Sequence, residues 1–125
     1  MKEIMENGHY IKNINCPSKE LCLMAVSQNG YSIRHLNNPC EELQLKAVSQ
    51  NGYSLRVIEN PSEKVKLRAV SQNGYSIRYI KNPSSDMILC AINQTGFAIK
   101  FVENPEKEFI ELALNKSPGC HVYLN

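Results

Sequence analysis

The stretch PSEKVKLRAVSQNGYSIRYIKN, residues 61–82, contains a core, AVSQNGYS (residues 69–76), that also stands at 25–32 and 47–54, each copy 22 residues from the next. A fixed period of this length means that one small structural unit has been copied and stacked. The anchors extend past the three identical copies. Proline recurs at Pro17, Pro39, Pro61, Pro83 and Pro105, glycine at Gly8, Gly30, Gly52, Gly74 and Gly96, and alanine at Ala25, Ala47, Ala69, Ala91 and Ala113. The pattern predicts an all-α fold, a short αα-repeat solenoid of about five 22-residue units with altered end units. It reads as a single domain over 1–125, with a partial unit at 1–16, units at 17–38, 39–60, 61–82 and 83–104, and a C-terminal cap at 105–125.

Each unit opens with helix-start signals. Asn60 is expected to act as N-cap, Pro61 to fill the first helical position, and Glu63 to reach back as a capping-box acid. Asn38-Pro39-Cys40-Glu41 repeats this start, and Asn82-Pro83 and Asn104-Pro105 do so more weakly. Cys16 replaces the asparagine in the first copy, which predicts a poorer cap there. Apolar or small residues follow at Val65, Leu67, Ala69 and Val70, covering an arc of roughly 200° at 100° per residue. A lone surface helix needs about half of that, so neighbouring repeats must cover this one on two sides.

Asn73-Gly74 is expected to stop the helix, with glycine in the left-handed conformation of a C-terminal cap. The same pair can form a tight hairpin turn, but the flanking segments lack strict alternation. A second, short helix is expected from Tyr75 to about Lys81. Its buried residues fall three apart: Ile77 with Ile80, Ile33 with Leu36, Ile99 with Val102. Ser32, Ser54, Ser76 and Ala98 keep one column small. The next Asn-Pro ends this helix, because the residue before proline is driven out of the α region. The last unit departs from the pattern, with Ser117-Pro118-Gly119 in place of Gln-Asn-Gly and CHVYLN (residues 120–125) in place of the second helix.

The bulk numbers exclude several classes. A formal net charge of +2 is too small to announce a nucleic-acid or membrane-surface protein. No apolar run approaches the roughly 18 residues of a membrane span, and the acidic, non-apolar MKEIMENGHY does not read as a secretory signal. Five cysteines, Cys16, Cys22, Cys40, Cys90 and Cys120, never fall at a tight metal-ligand spacing and fit a reducing cytoplasm. No metal and no cofactor are expected.

The pattern NPSxxxxLxAVxQNGYxIxxIxNP resembles the short helical repeats of unknown function found in bacteriophage, mobile-element and some intracellular-pathogen proteins. The resemblance covers nearly the whole chain. It implies a small helical solenoid that works by binding something, and in a phage setting an inhibitor that blocks a host defence protein. It carries over no catalytic or ligand residue.

The search for chemistry points away from an enzyme. His9, His35 and His121 occupy three different repeat positions, and no P-loop, HExxH or GxSxG signature occurs. His35 and Cys40 are close enough in the array to meet, although a surface histidine and a helix-start cysteine explain them as well. The informative columns are others. Lys12, Arg34, Arg56, Arg78 and Lys100 form a basic column on the short helices, read either as a track for phosphates or an acidic protein face, or as braces to carbonyls and glutamates of adjacent repeats. Tyr31, Tyr53, Tyr75 and Phe97 form an aromatic column that either stacks on a partner or seals the turn between the two helices. Gln28, Gln50, Gln72 and Gln94 form a row that either exposes a hydrogen-bonding ridge or caps helix ends.

The C-terminal half places Ile88, Cys90, Ile110 and Leu112 where the middle of the array has polar residues. That suggests an exposed apolar contact patch, unless CHVYLN folds back over it. Two readings of function follow. The first is a non-enzymatic protein-interaction module gripping one protein partner through Arg34, Arg56, Arg78, Tyr31, Tyr53, Tyr75, Ile88, Ile110 and Leu112. The alternative is nucleic-acid or nucleotide binding through the Arg/Tyr ladder, and a weaker one is a homodimer joined at its C-terminal end.

Overall fold

The computed structural model describes residues 18–124, and among them every unit is an α-helix followed by a six-residue 3-10 helix, with no strand. In chain order these are α1 (Lys19–Gln28), η1 (Gly30–His35), α2 (Glu41–Gln50), η2 (Gly52–Val57), α3 (Glu63–Gln72), η3 (Gly74–Tyr79), α4 (Ser85–Gln94), η4 (Gly96–Phe101), α5 (Lys107–Lys116) and η5 (Pro118–Tyr123). The partial unit at 1–16, with Gly8, His9, Lys12, Cys16 and the cap expected to be poor there, lies outside the described residues, as does Pro17.

The α-helices begin two residues later than the sequence suggests. Ser62 is the N-cap of α3, and its Oγ accepts from the Val65 amide at 3.3 Å. Ser18 and Ser84 do the same for α1 and α4, whereas Cys40 and Glu106 hold that position with no side-chain cap bond. Glu63 is therefore the first helical residue, too early for a capping box; it stands at the positive end of the helix dipole and pairs with Lys66 at 3.3 Å. Asn60 is not a cap. It sits in the left-handed region at φ 48°, as do Asn38, Asn82 and Asn104. Among residues with a side chain, asparagine tolerates that region best. The Asn-Pro pair is thus the sharp bend between units.

The second element also differs from expectation: it is a 3-10 helix, not a two-turn α-helix. Three residues per turn put Gly74, Ile77 and Ile80 on one side. Gly74 and Ile77 are buried, and Ile80, half-buried, is the C-cap. The exact three-residue spacing of the buried residues is the signature of this helix type. Asn73 precedes it in extended conformation, its side chain accepting from the Tyr75 amide at 3.0 Å.

Among the described residues none of the repeat glycines adopts a left-handed φ, so the expected glycine cap does not form. Glycine is required for a different reason. A Cβ on Gly52 would lie 2.6 Å from the Ala69 carbonyl oxygen and 2.7 Å from Ser76 Oγ, both in the next unit. The backbone of one repeat presses against the 3-10 helix of the one before.

The α-helices pack side by side in one layer and the 3-10 helices in a second, with α2 on η1, α3 on η2, α4 on η3 and α5 on η4. Among the described residues, elements touch only within their own unit or the adjoining ones. The core lies between the layers. Val26, Val48, Val70 and Ile92 meet Ile33, Leu55, Ile77 and Ile99, all at most 3 % exposed, and burying each such side chain contributes about 1.5–3 kcal/mol. On α3, Val65, Ala69 and Val70 are buried but Leu67 is 38 % exposed. The buried arc is therefore about 140° and not the wider one expected. The altered last unit continues the array: η5 stacks on η4 and α5, and Cys120 fills the small column of Ser32, Ser54, Ser76 and Ala98.

Candidate binding surface

Most polar columns are consumed by the fold. Gln50, Gln72 and Gln94 each end an α-helix and reach back to the preceding unit. Gln50, Gln72 and Gln94 Oε1 accept from the amides of Gly30 (2.7 Å), Gly52 (2.5 Å) and Gly74 (3.0 Å). Gln94 Nε2 also donates to the Val70 carbonyl at 2.7 Å and to that of Ser71. The glutamines therefore cap the 3-10 helices of their neighbours and form no free ridge. In the last unit Ser117 Oγ takes over, accepting from the Gly96 amide at 3.0 Å.

The α-layer surface is cross-braced as well. Lys19 pairs with Glu42 at 3.0 Å, Ser62 Oγ donates to Glu41 at 2.7 Å, and Arg68 donates to Ser49 at 3.4 Å. The hydrogen bond and charge of Glu42 raise the Lys19 amine above its ordinary pKa. Burial, and then the nearby Cys40, push the Cys22 thiol up. These exposed pairs contribute little to stability. Open grooves run between the helices, one of about 740 Å³ lined by Leu23, Met24, Ser27, Gln28, Glu42 and Lys46.

The basic column is different. Arg34, Arg56, Arg78 and Lys100 are exposed on the 3-10 layer. Among the described residues Arg34 and Arg56 make no hydrogen bond or ion pair. They do not brace carbonyls or glutamates. Arg78 instead lies over two rings, its guanidinium carbon 5.4 Å from the Tyr79 centroid and 5.1 Å from that of Phe101. Lys100 Nζ stands 5.0 Å from the Phe101 centroid.

The aromatic column is half-buried throughout. Tyr53 meets Tyr79 edge-to-face at 5.9 Å and 87°, and Tyr75 meets Phe101 at 6.1 Å and 86°. Tyr53 and Tyr75 thus seal contacts to the next unit while remaining half open to solvent. Tyr79 and Phe101 were missed in the sequence. They share a repeat position with His35 and Val57, and the change to aromatic residues in the later units was the available signal.

The expected apolar patch is not an exposed surface. Ile88 is 9 % exposed and packs into the cluster of Val70, Ile77 and Ile99, while Cys90, Ile110 and Leu112 are half-buried. At this position α4 faces the junction with η3, so an apolar residue there extends the core. The tail does not fold back over α4, since η5 touches only η4 and α5. Among the described residues the large apolar side chains most open to solvent are Leu67, Tyr79, Leu89 and Val122.

Two equivalent grooves flank the basic column. One, of about 580 Å³, is lined by Arg34, Asn37, Gln44, Val57 and Glu59 among others. The other, of about 410 Å³, is lined by Arg78, Lys81, Ile80, Ile88, Phe101 and Glu103 among others. Among the described residues no three His, Cys, Asp or Glu side chains come together as a metal site, and no helix is long and apolar enough to cross a membrane. Comparison of the chain with protein-family models, curated proteins and solved structures found no match.

Proposed function

We propose that this chain is a non-enzymatic protein-interaction solenoid whose partner presents an acidic surface to the 3-10 layer, along Arg34, Arg56 and Arg78. The observation that carries the reading is selective: the glutamine and asparagine columns are spent on contacts within the array, whereas Arg34 and Arg56 stand exposed without a partner. A duplicated unit keeps its braces for stability. A column of unpaired arginines adds self-repulsion and suits bidentate pairing with carboxylates. Tyr53, Tyr75 and Tyr79 beside it supply the rigid amphipathic area that interface anchors use.

Nucleic-acid binding is the second reading, favoured by the same column. It is weaker, because base stacking needs open ring faces. Here Tyr53 and Tyr75 meet neighbouring rings edge-to-face, and Arg78 and Lys100 lie over Tyr79 and Phe101.

The test is affinity capture from bacterial lysate with three baits: the parent, Arg34→Glu/Arg56→Glu/Arg78→Glu, and Lys46→Glu/Lys64→Glu on the α-layer, each with and without nuclease. One protein held by the parent and the α-layer variant but lost from the arginine variant, whatever the nuclease treatment, is the expected result. Equal capture by all three baits, or capture that vanishes with nuclease, overturns the reading.

A further inference from the structure

We infer that the groove beside Arg78 is the docking site for an acidic segment of a protein partner. A carboxylate pairs with the Arg78 guanidinium, and an adjacent apolar side chain rests on the half-buried Ile80 and Phe101. This rests on the interaction reading above and assigns its anchor.

Three observations converge on this groove. The first is preorganisation. Arg78 is held over Tyr79 and Phe101 at 5.4 and 5.1 Å. A guanidinium resting against two rings is attracted to both and keeps fewer rotamers than one in open solvent. Ordering a free arginine at an interface costs about 0.5–1.5 kcal/mol, and here the stack has already restricted it. Arg56 and Arg34 lack this arrangement. The residue after each is Val57 or His35, and of the three arginines only Arg78 has an aromatic ring at that following position both in its own unit and in the next.

The second observation is charge. Arg78 and Lys81 line the groove against one carboxylate, Glu103, and neither cation forms an ion pair with it. An anion is therefore attracted to a site that the chain itself leaves unneutralised. The third is the floor. Ile80, Ile88, Phe101 and Val102 form an apolar base to a space of about 410 Å³. That size suits one or two side chains.

The groove beside Arg34 is an internal comparison. It has Asn37, Gln44 and Val57 where the Arg78 groove has Lys81, Ile88 and Phe101. It therefore lacks the second cation and the ring beneath the guanidinium, and Gln44 interrupts its apolar floor of Leu36, Val57 and Ile58. Gln44 is turned inward there, its Nε2 donating to the Pro39 carbonyl at 3.0 Å.

The experiment uses the full chain and a displayed library of random dodecamer peptides. The selected peptides are resynthesised and their affinities measured by fluorescence anisotropy. Expected is a consensus of acidic residues next to an aliphatic or aromatic one. Arg78→Lys, which keeps the charge and loses the planar fork, should weaken binding about tenfold or more, and Arg34→Lys about twofold or less. Both positions are exposed, and unchanged thermal melts check that the variants fold.

A consensus without acidic residues, or full binding by Arg78→Lys, overturns the assignment. So does displacement of the peptide by oligothymidylate with a steep salt dependence. Peptides lost on Arg34→Glu/Arg56→Glu but indifferent to Arg78→Lys would remove this anchor and leave the interaction reading standing. Peptides indifferent to all three arginines would remove both.

Discussion

Adding one methyl group at Gly52 should destabilise the whole array, because the methyl would meet the next repeat. A Cβ there lies 2.6 Å from the Ala69 carbonyl oxygen and 2.7 Å from Ser76 Oγ. Carbon and oxygen rest at about 3.3 Å, so the two repeats must separate by roughly 0.7 Å. Overpacking of this kind costs about 1–3 kcal/mol. The shift also lengthens the bond from the Gly52 amide to Gln72, worth about 1 kcal/mol. Against this stands a gain of about 0.4–1 kcal/mol from stiffening the unfolded chain. The net loss is about 2 kcal/mol, a fall of roughly 1 M in the urea midpoint.

Ser76→Ala removes one of the three obstructing atoms, the third being Gln72 Oε1 at 2.9 Å. By itself it should be neutral or stabilising by up to about 1 kcal/mol, since the Ser76 hydroxyl is fully buried without a hydrogen-bond partner. In Gly52→Ala/Ser76→Ala the loss should be smaller than the sum of the single effects by about 0.5 kcal/mol or more. Urea unfolding followed by far-UV circular dichroism measures all three variants. A raised or unchanged midpoint for Gly52→Ala, or strictly additive effects, would refute the close-approach argument.

Gln72→Ala leaves the buried Gly52 amide without its acceptor and should cost about 1–3 kcal/mol, read as a lower urea midpoint. Cys40→Ser restores the serine cap that α1, α3 and α4 carry and should add about 0.5–1 kcal/mol in the same assay. Iodoacetamide at pH 8 should modify exposed Cys40 long before buried Cys22 and Cys120, with mass spectrometry locating the first adduct. Because folding raises the Cys22 thiol, the folded state gives up stability as pH rises past the ordinary thiol range and the unfolded chain ionises first. Cys22→Ala should flatten that alkaline decline in a pH series of thermal melts.

The 22-residue period, the α-helix over each Ala-Val pair and the unit boundaries at Asn-Pro were all written in the sequence. They depend on local propensity and on repetition, both of which a linear string carries. The type of the second helix was also present, in the strict three-residue spacing of its buried side chains, but a run of six residues is too short for propensity to separate 3-10 from α. What only the tertiary structure decided lies between repeats. The glycines answer to a backbone in the following unit and not to their own dihedral angles. The glutamines satisfy amides 20 residues upstream. Ile88 is core because α4 meets η3, and the Arg78 guanidinium lies over Tyr79 and Phe101 because stacking brings those rings together from successive units. A column of identical residues looks the same in sequence whether it braces the array or faces solvent. Only the register between stacked units, fixed by close packing of Ala against Gly, separates the spent glutamines from the unspent arginines.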